Sequence, residues 1–152
     1  MKRLTLFSFL LFSSFIFSSY CYAQSMGTKK IIAKYATDYI PEFKSSLAYR
    51  SNNLALANID IVIDFASFGD NSADLDLAVR QMNMAKGAIL FLAKDAVGKE
   101  AIEKGLKTIT IRKASNKAIS YKGGNLTLAA TDFELKNIIG TPEIQKFLEK
   151  NL

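Results

Sequence analysis

Histidine does not occur in this chain, and cysteine occurs only once, as Cys21. The first absence removes the commonest general base and the commonest metal ligand together. Serine–histidine–aspartate and cysteine–histidine nucleophilic machinery is therefore excluded, and so are zinc sites built from cysteine and histidine. Any catalysis would have to rest on carboxylates, lysine, tyrosine or serine. No motif points to a cofactor, and none is expected.

Charge of one sign is also scarce. The chain carries 20 basic residues against 14 acidic. Such an excess favours solubility and attraction to anionic surfaces. It falls short of the footprint of a dedicated nucleic-acid binder, so nucleic acid is not an expected partner.

What is present begins with an export pattern. Lys2 and Arg3 precede an uncharged, mostly apolar run from Leu4 to Phe17, and Cys21 and Ala23 supply a small-x-small site before polar Gln24. That is the arrangement of a cleaved signal peptide over residues 1–23. The run is shorter than the ~20 residues a spanning helix needs, so no membrane anchor is expected after cleavage. Cys21 would leave with the signal, and the remaining body would have no thiol and no disulfide. Residues 24–152 then read as one domain, held by its core alone; a chain of that length buries roughly two thirds of its unfolded surface. A periplasmic or secreted location follows.

Residues 28–50 have helical spacing, with Ile31, Ile32, Tyr35, Ala36 and Tyr39 on one face. Pro41 should break or restart this helix. The stripe Tyr35, Tyr39, Phe43 suits core packing better than a pocket lining. Over 58–67 the period changes to two, with Ile59, Ile61, Ile63 and Phe65 alternating with polar neighbours, which predicts a strand.

A long helix follows, capped by Asn71 or Ser72, with Leu75, Val79, Met82, Ile89 and Leu92 as its buried face. Gly87 in its middle suggests close packing against a neighbour. A shorter helix spans Lys99 to Lys104 and stops at Gly105. Ile109 with Ile111, Ile119 with Tyr121, and Leu126 with Leu128 mark three strands, the last two joined by a Gly123-Gly124 hairpin. The final helix, Pro142 to Leu148, takes Thr141 as its N-cap. Residues 131–140 fit either a loop or a short helix.

The fold class implied is α+β: a one-sided antiparallel sheet, made of one strand and a three-strand meander, covered by helices. In element order it resembles the general plan of cystatin-like and related helix-on-sheet folds, with a long helix wrapped by a meander. No motif accompanies the likeness, so it implies nothing about function.

Charge placement is the one feature that suggests a site. From Lys99 to Lys122 there are seven bases and two acids, and Arg112, Lys113, Lys117 and Lys122 form a candidate basic face for an anionic partner or glycan. If the first strand lies beside the meander, Asp60 and Asp64 should pair with Arg112 or Lys122 across the ladder. The same two carboxylates share a strand face, an arrangement also open to acid/base work.

Two other patterns fail on inspection, and a third depends on the host. Asp70 to Asp76 has the look of a calcium loop, but Leu75 stands where the turn needs glycine and Gln81 where a bidentate glutamate belongs. Gly98-Lys99 lacks the preceding glycine and the following hydroxyl of a phosphate loop, and reads as a loop before the Lys99–Lys104 helix. Asn125-Leu126-Thr127 is a glycosylation acceptor only in a eukaryotic host.

The expectation is a non-catalytic exported binding or interaction protein. Its partner would be a protein, a glycan or a small apolar ligand, met on the polar sheet face or in a cleft between helix and sheet. The alternatives are a cell-envelope assembly accessory docking through an edge strand, or a histidine-independent enzyme.

Overall fold

The computed structural model describes residues 26–68, 72–131 and 135–152. The predicted signal segment, Asp70 and Asn71 lie outside them.

The first helical stretch is continuous, and Pro41 does not end it. Helix α1 (Met26–Lys34) passes through a π-turn (Tyr35–Tyr39) into α2 (Ile40–Ser51), with Pro41 in the first turn of α2. Proline has no N–H and its ring crowds the carbonyl one turn back. The wider π-turn absorbs that misfit, and the Ile40 N–H bonds to the Tyr35 carbonyl. Tyr35 and Phe43 are buried, as core packing requires, and Tyr39 is half-buried.

A short 3-10 turn (Leu54–Asn58) leads to β1 (Asp60–Ile63). This strand is shorter than the alternation suggested. Asp64 ends it by accepting bonds from the Ser67 N–H, and the chain turns into α3 (Phe65–Phe68). Phe65 is therefore helical, and its ring meets Tyr35 edge-on at 5.7 Å.

Helix α4 (Ser72–Leu92) buries Leu75, Met82 and Ile89 as expected, together with Ala78, Ala85 and Ala88. Helix α5 (Ala96–Gly105) starts three residues earlier than predicted. Asp95 caps it by accepting from the Gly98 N–H at 2.8 Å, which places Gly98-Lys99 in the first helical turn and not in a loop.

The main correction concerns the sheet. Strands β2 (Thr108–Lys113), β3 (Ala118–Lys122) and β4 (Asn125–Ala130) do not form a meander. The order is β1-β2-β4-β3, with β1, β2 and β4 parallel and β3 antiparallel to β4. The sheet is mixed, and the likeness to cystatin-like plans lapses with the meander.

Burial explains the order. The inner residues of β4 (Leu126, Leu128, Ala130) are buried and its outer Ala129 is nearly so, whereas β3 alternates exposed and half-buried. The more apolar strand takes the centre and the more polar strand the edge. Residues 114–117 are long enough for the detour, since four extended residues reach ~13 Å and skipping one strand needs ~10 Å. The Gly123-Gly124 hairpin forms as predicted, with φ of 57° and 87° at the two glycines, which L side chains adopt only under strain.

Inner-face side chains Ile61, Ile63, Ile109, Ile111, Leu126 and Leu128 join the buried face of α4 in one core. The cleft between helix and sheet is thus filled at these positions. Helix α6 (Thr141–Asn151) closes the molecule against α4. Gly140, not Thr141, is its N-cap residue; Thr141 turns aside and donates to the Met84 carbonyl at 3.1 Å. Its hydroxyl oxygen lies 3.1 Å from where a Cβ on Gly87 would sit, so glycine does allow a close approach there.

One side chain holds α6 in register. Gln81, buried in α4, donates to the Ile139 carbonyl at 3.0 Å and accepts from the Ile139 N–H at 2.8 Å. Both backbone groups are buried, and an unpaired buried group costs about 1–3 kcal/mol. Gln81→Ala should therefore lose about 3 kcal/mol of unfolding free energy in urea titration; a loss under about 1 kcal/mol would contradict this anchoring.

Candidate functional site

Side chains on the outer face of the sheet fall into three rows set by the register. The first is Asp60, Thr108, Asn125, Lys122; the second Val62, Thr110, Thr127, Ser120; the third Arg112, Ala129, Ala118. The flanks are exposed and the central threonines half-exposed, with no described element laid across them. Hydroxyls and one amide dominate, and no aromatic ring is present, because Tyr121 points inward and donates to the Gly105 carbonyl at 2.7 Å. The Thr110 hydroxyl donates to Asn125 Oδ1 at 3.1 Å, linking the two rows within the face.

The four predicted basic residues separate. Arg112 and Lys122 lie on this face at opposite corners, roughly 16 Å apart from strand spacing and rise. Neither has a carboxylate within 4 Å among the described residues. Lys113 has the opposite orientation. Its ammonium pairs with Asp74 in the first turn of α4, and its N–H bonds to the Ser67 hydroxyl at 2.9 Å. Asp74 has a side chain only 9% exposed, so this pair fastens the end of β2 to the helix layer. Lys117 sits in the β2–β3 link and reaches Glu143 of α6 at 3.2 Å.

The aspartates also differ from expectation. Asp60 pairs with Lys44 of α2 at 2.7 Å and not with a cross-strand base. Asp64 lies beyond the strand and caps α3. Four residues apart in extended chain, the two are separated by ~13 Å, too far for a shared acid/base site.

Two groups have displaced titration. Burial raises the Tyr35 phenol well above its ordinary value of 10.0, with the charge of Asp76 and then Tyr39 adding to it. Its hydroxyl is buried and has no hydrogen-bond partner among the described residues. Glu143 is lowered from 4.5, chiefly by the hydrogen bond from the Gly140 N–H, opposed by desolvation and assisted by Lys117. Among the described residues no three Asp, Glu, His or Cys side chains gather as a metal site. No described helix is long and apolar enough to cross a membrane.

Comparison of the chain with protein-family models, with curated proteins and with solved structures gives no match.

The Glu143 contacts make a pH prediction. A carboxylate held below its ordinary value stabilises the fold above about pH 4.5, and the gain disappears as pH falls through the lowered value. Native protein should melt higher than Glu143→Gln at pH 7, and the gap should close below pH 4.5. A gap constant from pH 7 to pH 3 would show that the carboxylate charge contributes nothing.

Proposed function

We propose that this is an exported, non-catalytic binding protein whose open sheet face docks an extended anionic glycan. The observation that carries the reading is three parallel strands with one face bare of any described covering. Parallel strands are ordinarily covered on both faces. Here the bare face instead carries Thr108, Thr110, Thr127, Ser120 and Asn125, which exchange hydrogen bonds with water or with sugar hydroxyls equally well.

Arg112 and Lys122 supply the charge selectivity. At roughly 16 Å apart they cannot converge on one small anion, and they suit acidic groups spaced along a polymer. The face has no buried acid or base that would favour chemistry over binding. Assembly by strand addition at the β3 edge is the weaker reading, because Lys117 and Lys122 flank that edge and charged edges resist pairing. Export rests on the N-terminal pattern alone.

The test is binding to acidic and neutral polysaccharides by calorimetry. Arg112→Glu combined with Lys122→Glu should weaken acidic-polymer binding about tenfold or more, equivalent to about 1.4 kcal/mol, with the melting temperature unchanged. Native affinity in the double variant, or equal affinity for neutral polymers, would remove the reading.

A further inference from the structure

A second surface lies among the helices, away from the bare sheet face. Arg50 of α2 and a stripe of α4 enclose an open groove of about 510 Å³. Asn83, Lys86 and Leu90 recur along α4 at helical spacing beside the buried stripe Met82, Ala85, Ile89, and Lys94 follows in the turn after the helix. Phe91 is 47% exposed at the groove wall. The volume falls within the range of small-molecule sites.

The groove has an unusual charge balance. It is lined by three cations, Arg50, Lys86 and Lys94, and by no acid. Lys44, Lys104, Lys113 and Lys117 each have a carboxylate within 4 Å; these three have none among the described residues. Two of them lie over rings instead: Lys94 is 4.4 Å from the centre of Phe91, and Lys86 is 5.9 Å from that of Phe43. A ring face contributes about 0.5–1 kcal/mol at such sites and leaves the charge unneutralised. The adjoining hollow of about 110 Å³ shares Asn83 and Lys86 and adds Glu42, so the unopposed end of the groove is the one at Arg50 and Lys94.

We infer that this groove binds a monomeric amphipathic anion. Its acidic head would lie at the Arg50 and Lys94 end, and its apolar chain along Leu90 and Phe91. Charge complementarity selects the head, since cations and no acid line the groove. The exposed Phe91 ring and the half-buried Leu90 select the chain, because covering apolar surface gains about 25 cal/mol per Å².

Dodecyl phosphate, kept below its micellar concentration, is the probe for the purified protein in calorimetry. It should bind saturably at one site, while inorganic phosphate at equal concentration should not bind. Arg50→Gln, Lys94→Gln and Phe91→Ser should each weaken binding about fivefold or more, with circular dichroism unchanged. Arg112→Glu with Lys122→Glu should leave it intact, which separates this site from the sheet face. Absence of saturation, equal affinity in all three groove variants, equal binding of inorganic phosphate, or binding only to phosphatidylglycerol vesicles would each overturn the proposal.

Discussion

The arrangement of this molecule depends on where β4 has to be buried. Leu126, Leu128 and Ala130 need the core on one side, and the outward Ala129 is itself only 7% exposed. Only an interior position in the sheet provides that. Placing β4 between β2 and β3 makes it parallel to β2, sends β3 to the edge, and converts three sequential strands into a mixed sheet. The distribution of polar side chains then follows. Residues alternating with the buried set on β1, β2 and β4 are Asp60, Val62, Thr108, Thr110, Arg112, Asn125, Thr127 and Ala129, and they all point to one face.

Polar contacts on the helix side fix the layers that hydrophobic burial alone would leave free to slide. Gln81 holds the segment before α6, Asp74 and Lys113 join α4 to the end of β2, and Tyr121 joins β3 to the end of α5. Each bond joins elements far apart in sequence. Burial is non-directional and sets how much contact forms, whereas these bonds set the register in which it forms. Among the described cations without an ion pair, Arg112 and Lys122 lie on the sheet face and Arg50, Lys86 and Lys94 line the helical groove.

Local pattern made much of the fold legible. Helical spacing located α2 and α4, alternation located the strands, and two adjacent glycines located the hairpin. The α+β class followed from these. Strand order did not, because alternation reports which residues face inward and says little about which strand lies next to which. A signal was available in the run Leu126, Leu128, Ala129, Ala130, which is too apolar for an edge strand. The π-turn before Pro41 was hidden because proline reads as a break whether the helix stops or widens. Gln81 was noticed only as a failed metal ligand, since its partners are backbone groups 58 residues away. The basic cluster was legible as composition but not as geometry: strand alternation separates Arg112 from Lys113, and Asp74 and Glu143 claim two of the four charges. The groove cations escaped notice because Arg50 is far in sequence from Lys86 and Lys94.

The strand order can be measured directly by oxidative cross-linking in a background where Cys21 is serine. Thr110 and Thr127 are register partners on adjacent strands, while Thr110 and Ser120 lie two strands apart, roughly 10 Å, beyond the reach of a disulfide. Thr110→Cys with Thr127→Cys should cross-link readily under mild oxidation, and Thr110→Cys with Ser120→Cys should remain reduced. The reverse pattern would place β3 beside β2, restore the meander, and contradict both the mixed sheet and the face built on it.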